Sequence, residues 1–310
     1  IQVGVPQGSI LGPLMFILYI NDLPDVIVDC KIALYADDTA IFYSAKSLAK
    51  IQSVLNHNMS TVKKWLDENR LTLNVSKTKA MLFGSSRKVK NKAMDISIDG
   101  ESIEHVSTFK YLGAYLDSKL SWSDHVDYMC GKISKRLSAL YRIRPYVSEK
   151  VAGQLYNSTI LPLLDYCDIL WINTNCTNIA RVQRLQNRAA RIILMKHKRT
   201  HVNSMLNQLK WLNVVDRINF HKSVLVFKCV LKQTPEYLSS AFTPTSCVHQ
   251  YNTRQSSNLF QQHVNKGFGL RTFGYSGTKL YNSFSQELKN CNSIAKFKTQ
   301  YFRDNHFSYV

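Results

Sequence analysis

Apolar residues in the first part of the chain fall in short runs separated by turn-forming residues. The run from Leu14 to Ile20 predicts a buried helix that ends near Asn21 to Pro24. Residues 31–35 and 39–43 are rich in β-forming residues and flank Ala36-Asp37-Asp38, which predicts a tight hairpin. Tyr35 and Phe42 are expected in the core of this hairpin. The region should therefore combine strands with packed helices.

One segment of this region has the period of a helix. Strands are predicted after it, over 71–75 and 80–83 around a turn at Ser76 to Lys79, and over 109–116 with Gly113 inside. Asp99-Gly100 predicts a type I′ hairpin turn. The helical segment is recognised by apolar residues three or four positions apart, namely Leu48, Ile51, Leu55, Met59, Val62 and Leu66.

Beyond residue 120 the helical period dominates. Helices are predicted over 126–140, with Ser123 as N-cap, and over 151–164, 179–195 and 211–232. Residues 233–310 are richer in small polar residues and less periodic. We therefore expect an α/β region over 1–116, a helical domain over 117–232 and a small mixed module over 233–310.

Charge is distributed unevenly along the chain. The whole sequence has 40 Lys and Arg against 21 Asp and Glu, a net charge of +19. Residues 1–116 hold 13 basic and 11 acidic side chains, which leaves 27 basic and 10 acidic side chains in residues 117–310. An excess of this kind favours a polyanionic partner for the second part.

The cysteines do not suggest a disulfide framework, because their number is odd and no two form a CxxC pair. Two of them could join two histidines in a zinc-knuckle pattern, formed by Cys167, Cys176, His197 and His201. The gaps between these four fit such a site poorly, so buried thiols and surface imidazoles are the preferred interpretation.

The termini and apolar runs bear on the cellular location. The most apolar run, Ile10 to Ile20, is short and contains Gly12-Pro13, so we expect no membrane-spanning segment. The chain begins with Ile1 and lacks the pattern of a signal peptide. We expect a piece of a longer open reading frame from an intracellular protein, nuclear or cytoplasmic and not secreted.

Asp37 and Asp38 are the first candidates for chemistry. Adjacent carboxylates in a turn repel each other unless a cation or a donor compensates. Such hard oxygen ligands suit Mg²⁺, or Mn²⁺, which share substrate phosphates during phosphoryl transfer. A solvated turn is the alternative for an Asp pair taken alone.

The pair does not stand alone. Four segments follow one another in the order Gly-Val-Pro-Gln-Gly-Ser at 4–9, Tyr-Ala-Asp-Asp at 35–38, Leu-Asn-Val-Ser-Lys-Thr-Lys at 73–79 and Phe-Lys-Tyr-Leu-Gly at 109–113. This series resembles motifs B, C, D and E of reverse transcriptases, in the version found in non-LTR (LINE-type) retrotransposons of the jockey and chicken-repeat-like groups. An intron maturase or telomerase relative would share motif C but should differ in motifs B and E.

The resemblance implies a partial polymerase palm, built of an antiparallel sheet with packed helices, followed by an α-helical thumb. It implies an RNA-directed DNA polymerase whose partners are an RNA template, a DNA primer and deoxynucleoside triphosphates. Asp37 and Asp38 then correspond to the metal ligands, with Asp37 as the main one. The motif B residues, which pack against template and nucleotide, are Pro6, Gln7, Gly8 and Ser9.

Two further motifs carry residues over from the resemblance. Either Lys77 or Lys79 corresponds to the motif D lysine near the leaving pyrophosphate, and both could instead be plain solvated lysines. The primer grip, which holds the primer 3′ end, corresponds to Phe109, Lys110, Tyr111, Leu112 and Gly113.

One departure from the family pattern matters for activity. Reverse transcriptases place a further metal-binding aspartate on motif A, several dozen residues before motif B, and no acidic residue precedes Asp22 here. We therefore expect the fingers and motif A to be missing and the chain alone to be inactive. The alternative is a non-catalytic nucleic-acid-binding remnant of a decayed element.

The resemblance places the thumb after motif E, where the excess positive charge lies. Four arginines spaced three or four residues apart predict one basic helix face, which would grip the backbone of an RNA–DNA duplex. A solvated helix face is the alternative. The residues expected to contact the backbone are Lys132, Lys135, Arg136, Arg181, Arg184, Arg188 and Arg191.

Overall fold

The computed structural model describes residues 8–85, 94–248, 257–264 and 267–305. The chain divides into two compact units, Ile1–Leu120 and Ser121–Val310, here called unit 1 and unit 2. Both contain helices, and the strands lie in unit 1. No helix among these residues is long and apolar enough to cross a membrane.

In the part of unit 1 that the structure describes, two α-helices are combined with short strands. The strands pair two by two: β1 with β2, β4 with β5 and β7 with β8 are antiparallel, and β3 with β6 is parallel. The elements are α1 (Leu11–Ile20), β1 (Lys31–Tyr35), β2 (Asp38–Phe42), α2 (Leu48–Glu68), β3 (Lys79–Ala80), β4 (Ser97–Ile98), β5 (Glu101–Ser102), β6 (Glu104–His105), β7 (Thr108–Tyr111) and β8 (Ala114–Asp117).

The helix predicted from Leu14 to Ile20 is present as α1, but the prediction that it is buried is wrong. Leu18 is 69% exposed, and Leu14, Met15 and Ile17 are also exposed. Ile20 is buried, and Phe16 packs against the same cluster. Because α1 is apolar on all sides and this small core covers one side, its other faces remain in solvent.

The strand predictions for unit 1 were correct in part. Asp99 and Gly100 both have positive φ, +51° and +83°, as a type I′ turn requires. The strand predicted over 71–75 is absent, because Asn74 accepts hydrogen bonds from the backbone of Lys77 and Thr78 and closes a turn there. The single strand predicted over 109–116 is a hairpin of β7 and β8.

Unit 2 is helical. The predicted helix over 151–164 is broken at Ile160, because Pro162 in the first turn of the second piece has no backbone N–H to continue the helix. The helices are α3 (Ser123–Ile143), α4 (Glu149–Thr159), α5 (Leu161–Asp165), α6 (Asp168–Trp171), α7 (Cys176–Leu194), α8 (Val202–Leu209), α9 (Val214–Val230), α10 (Glu236–Ser239), α11 (Gly267–Leu270), α12 (Phe273–Asn282), α13 (Gln286–Lys289) and α14 (Ile294–Asp304).

Ser123 was predicted to cap the first of these helices, and this is wrong. Trp122, with φ of +63°, occupies the cap position, and Ser123 is the first helical residue. Trp122 is buried at this entry to the helix.

An aromatic core joins α9 to the C-terminal residues. Phe227 of α9 stacks on Phe297 of α14 with ring centroids 4.2 Å apart, and Phe242 and Tyr281 belong to the same buried cluster. The predicted boundary at residues 232 and 233 falls within unit 2, and the separate role of 233–310 stays a prediction.

Candidate active site

The hairpin of β1 and β2 carries the two adjacent carboxylates at its tip. Tyr35 pairs with Asp38 across the strands, which leaves Ala36 and Asp37 as a two-residue loop. Ala36 has φ of +51°, which is uncommon for a residue with a side chain. Both carboxylates are exposed. Strand pairing behind the turn thus presents Asp37 and Asp38 to solvent.

The two faces of this hairpin differ. Ile32, Leu34 and Ile41 lie on one face and pack against the buried cluster around Trp65. Because side chains alternate along a strand, Asp38 lies on the opposite face.

Tyr35 and Phe42 share that opposite face with Asp38. They are 66% and 51% exposed, so the expectation that they form the hairpin core is wrong. The alternation along the two strands places these rings on the face away from the apolar cluster. Tyr35 is therefore the aromatic neighbour of Asp38, whereas Phe42 lies at the other end of the same face.

The segment assigned to the primer grip forms the second hairpin of the site. Leu112 and Gly113 form its turn, with φ of +45° and +83°. Phe109 and Tyr111 are half-buried, whereas Lys110 is exposed with its ammonium 5.9 Å from the ring centroid of Tyr115.

Tyr111 links this hairpin to the carboxylates. Burial raises the pKa of its phenol, and the negative charge of Asp38 raises that pKa further. The phenol and the carboxylate therefore lie within electrostatic range of each other. A raised pKa also means that the phenol keeps its proton at neutral pH and can donate a hydrogen bond.

The two lysines of the third motif differ in their surroundings. The ammonium of Lys79 donates to Glu104 Oε2 at 2.6 Å and to the carbonyl oxygen of Ser76 at 2.7 Å. Lys77 sits in the exposed turn, where its backbone N–H donates to Asn74. Lys79 is thus tied to β6, whereas the side chain of Lys77 faces solvent.

The motif B loop leads into α1. Gly8 has φ of +84°, a conformation that favours glycine, and the hydroxyl of Ser9 accepts a hydrogen bond from the backbone N–H of Gly12 at 3.0 Å. Pro6 and Gln7 lie outside the described residues.

These motifs fall in a segment with known relatives. Residues 1–116 match the family model described as reverse transcriptase (RNA-dependent DNA polymerase). This segment belongs to the reverse transcriptase family. Membership implies a polymerase palm-like fold, which agrees with the mixture of helices and small sheets in unit 1.

Individual relatives are polymerases of non-LTR retrotransposons. The chain is 26% identical over 268 residues to a probable RNA-directed DNA polymerase from transposon X-element of Drosophila melanogaster, an alignment covering 84% of this chain and 29% of the relative. It is 30% identical over 176 residues to the RNA-directed DNA polymerase from mobile element jockey of the same fly, covering 54% and 19%.

A third relative comes from a wasp. The chain is 29% identical over 176 residues to a Pol polyprotein from type-1 retrotransposable element R1 2 of Nasonia vitripennis, covering 54% of this chain and 43% of the relative. The chain thus spans less than half the length of each of these three relatives. No solved structure is significantly similar.

Reverse transcriptases use divalent metal ions, and the carboxylates of the tip suit them in part. Asp37 and Asp38 offer exposed hard oxygen ligands next to each other. Among the described residues, however, neither belongs to a group of three or more potential ligands close enough to hold an ion. The hairpin tip therefore offers two of the oxygen ligands that such an ion needs.

Three potential metal ligands lie closer together in unit 2. Atoms of Asp165, Asp168 and His221 in unit 2 lie within 4.8 Å of one another. Arg217 donates to both oxygens of Asp165, at 2.6 and 2.7 Å, and Nδ1 of His221 lies 2.5 Å from Asp168 Oδ2.

These contacts explain the group without a metal ion, since an ion pair joins α5 to α9 and a hydrogen bond joins α6 to α9. The sequence interpretation missed this network. Its signal was the four-residue spacing of Arg217 and His221, which places both on one helix face.

The basic side chains of unit 2 fall into two sets. Arg181 pairs with Asp127 at 2.6 Å, and Arg136 donates to the carbonyl oxygen of Thr159. Arg191 is half-buried. The exposed members of the predicted backbone-binding set are Lys132, Lys135, Arg136, Arg184 and Arg188, and among these Arg136 is already bonded to Thr159.

Helices α3 and α7 set these positions. Contacts between Ser123 and Asn178 at their starts, and between Arg144 and the Ile193 carbonyl at their ends, show that the two helices run parallel. The stripe of four arginines is therefore divided: its first member is paired, its last is half-buried, and its centre faces solvent.

Proposed function

We propose that this chain is part of an RNA-directed DNA polymerase of a non-LTR retrotransposon, with Asp37 and Asp38 as its metal-binding carboxylates. The observation that carries the proposal is the exposed Asp37-Asp38 tip of the β1–β2 hairpin, inside the segment that matches the reverse transcriptase family. The activity is placed inside the cell, in the nucleus or the cytoplasm.

Mg²⁺ or Mn²⁺ would be held by Asp37 and Asp38 and would neutralise charge on the nucleotide phosphates when bound. The remaining roles belong to protein side chains. Lys77 is the better motif D candidate, because Lys79 is already paired with Glu104. Its ammonium would stabilise charge on the leaving pyrophosphate or donate a proton to it.

The β7–β8 hairpin is assigned to holding the primer 3′ end. Its turn residues, Leu112 and Gly113, bring Lys110 and Tyr111 to the same end of the hairpin. Tyr111 lies within electrostatic range of Asp38 and keeps its proton, so it can donate a hydrogen bond to an anionic backbone. This arrangement supports a primer held close to the carboxylates.

Unit 2 is assigned the thumb role of gripping an RNA–DNA duplex. Exposed Lys132, Lys135, Arg184 and Arg188 are suited to phosphate contacts, which give affinity without reading the base sequence. Arg136 and Arg181 have partners within the protein and are assigned to holding the helices together.

The test is primer extension on an RNA template. A polypeptide that joins the preceding part of the reading frame to this chain should extend a primer with Mg²⁺, and Asp37→Asn should reduce the rate by about a thousandfold or more. Asp25→Asn removes an equally exposed carboxylate elsewhere in unit 1 and should leave the rate unchanged. Undiminished extension by the Asp37 variant would exclude its metal role.

The second candidate function is a nucleic-acid-binding remnant without catalysis. It is favoured by the finding that, among the described residues, Asp37 and Asp38 stand outside any three-ligand group. This function predicts that the joined polypeptide binds RNA–DNA duplex but does not extend the primer, with or without Asp37.

A further inference from the structure

Two strongly exposed tyrosines lie where α3 ends. Tyr141 is 66% exposed and Tyr146 is 87% exposed. Single exposed aromatic rings are ordinary on protein surfaces and need no explanation. Tyr141 and Tyr146 lie five positions apart, and Arg142 between them is also exposed, so this short stretch presents two rings and a cation to solvent.

The backbone under these rings is fixed. Arg144 Nε donates to the carbonyl oxygen of Ile193 at 2.7 Å, and its Nη1 donates to the carbonyl oxygen of Val147 at 2.7 Å. Residues Arg144–Tyr146 continue α3 as a 3₁₀ turn. Tyr146 is therefore held on ordered backbone, at the end of α3 that is clamped to the end of α7.

A basic loop begins at that same end of α7. Met195, with φ of +51°, ends the helix, and the N–H of Lys196 bonds back to the carbonyl of Arg191 at 3.0 Å. The residues that follow are all exposed: Lys196, His197, Lys198 and Arg199. Because the Arg144 side chain joins the two helix ends, this loop begins near the stretch that carries the two tyrosines.

The two stretches of sequence that carry the loop and the tyrosines are rich in basic residues. Residues 176–215 hold eight basic and no acidic side chains, and residues 128–148 hold five basic and none acidic. The rings therefore lie in stretches with a net positive charge, although Asp127 of α3 pairs with Arg181 and Glu149 follows Tyr146 by three residues.

Exposed aromatic rings beside cations are the features that bind unpaired bases. Bases stack on the rings while lysine and arginine contact the phosphates, and the binding tolerates any sequence. Bases of a duplex are already stacked and paired, so their faces are closed to a protein ring. The rings thus favour a single strand, unlike the arginines at the centre of α7, which suit a duplex backbone.

We propose that Tyr141 and Tyr146, with Arg142 and the loop from Lys196 to Arg199, form a stacking site for unpaired bases of single-stranded nucleic acid. The site goes beyond the proposed function, because it requires neither catalysis nor a duplex. It lies entirely within unit 2 and would let this unit hold a strand that is not yet copied.

The test uses the whole 310-residue chain. Affinity is measured by fluorescence anisotropy for a labelled single-stranded RNA, for an abasic strand of the same length, and for an RNA–DNA duplex. The double variant Tyr141→Ala, Tyr146→Ala should bind the RNA strand about tenfold more weakly or worse. Its affinity for the abasic strand and for the duplex should change less than twofold.

The matched control is Tyr141→Phe, Tyr146→Phe, which keeps the rings and removes the hydroxyls. This variant should bind the RNA strand as the unchanged chain does. A single-stranded DNA arm tells whether the site distinguishes the sugar. Equal losses of the alanine variant on RNA, abasic strand and duplex would overturn stacking, and so would unchanged binding of the RNA strand.

Failure here is distinguishable from failure of the proposed function. If duplex binding depends on Arg184 and Arg188 while the tyrosine variants behave like the unchanged chain, the stacking site is wrong and the thumb role stands. The reverse result would support the stacking site without the duplex grip.

Discussion

Units 1 and 2 differ in how much of their apolar surface is buried. Of the twelve largest fully buried side chains among the described residues, Leu23 lies in unit 1 and the other eleven lie in unit 2. Unit 1 leaves α1 exposed and builds its sheets two strands at a time. Unit 2 therefore has the larger buried core, whereas unit 1 carries the candidate carboxylates Asp37 and Asp38 on a smaller one.

The two units also differ in how the first turns of their helices are capped. The N-cap residues of α1 and α2 are Ile10 and Ser47, and neither makes a side-chain cap hydrogen bond, although the hydroxyl of Ser9 accepts one from Gly12 at the start of α1. Six helices of unit 2 begin with a capping side chain, provided by Ser148, Asn175, Asn213, Thr272, Ser285 and Ser293. Local signals thus define unit 2, whereas unit 1 depends on pairing between distant segments.

The largest expected effect tests the difference in core strength. Phe227→Ala removes a fully buried ring from the aromatic core of unit 2 and should lower the free energy of unfolding by about 4 kcal/mol. Leu18→Ala in exposed α1 is the matched control and should change it by less than about 0.5 kcal/mol. Urea unfolding of the whole chain measures both. Equal losses would mean that α1 is covered in solution.

A buried charge provides the second prediction. Lys222 is 7% exposed, its ammonium donates to Ser276 Oγ at 2.6 Å, and burial lowers its pKa from the ordinary 10.5 to about 8. Each pKa unit corresponds to about 1.4 kcal/mol, so the charged form costs the folded state about 3 kcal/mol.

This cost has a defined pH dependence. Between pH 8 and 10.5 the unfolded chain keeps the proton of Lys222 and the folded chain has lost it, so the contribution of Lys222 to stability rises with pH across this window and is lowest below 8. Lys222→Met should stabilise the chain at pH 7 and remove the rise. Exposed Lys279→Met, in α12, should leave the rise in place; a rise that persists without Lys222 would contradict the assignment.

The third prediction concerns charge and is the smallest. Removing Arg184 and Arg188 together, as glutamines, should reduce the slope of log affinity against log salt concentration for RNA–DNA duplex by about two. Lys46→Gln with Lys50→Gln removes the same charge from exposed positions of α2 and the loop before it, in unit 1. An equal reduction in this control would show that binding follows net charge and not the α7 surface.

Local patterns were sufficient for several elements. The apolar period of α2 and the Asp99-Gly100 turn were correctly predicted, because helix periodicity and left-handed backbone are properties of a few neighbouring residues. The hairpin around Asp37 and Asp38 was confirmed for the same reason. The family was also readable from the order of its motifs.

Other features depended on which segments meet in space. Sequence could not say that Leu14 and Leu18 of α1 face solvent, because burial depends on what covers a helix and not on the helix itself. The exposure of Tyr35 and Phe42 has the same cause. The β-forming run around Gly113 predicts one strand, because a glycine inside such a run is compatible with a bulge as well as with a turn.

The candidate site likewise has features that the sequence determined and features that depend on tertiary contacts. The sequence by itself determined the chemistry, namely the carboxylates Asp37 and Asp38, two candidate lysines and a strongly basic second half. Only the tertiary structure separated Lys77 from Lys79, by pairing the latter with Glu104, and placed Tyr111 near Asp38. It also divided the arginines of α7, because Asp127 on the parallel helix α3 neutralises Arg181 and leaves Arg184 and Arg188 in solvent. Charge is a property of residue type, but its availability depends on neighbours that are distant in the chain.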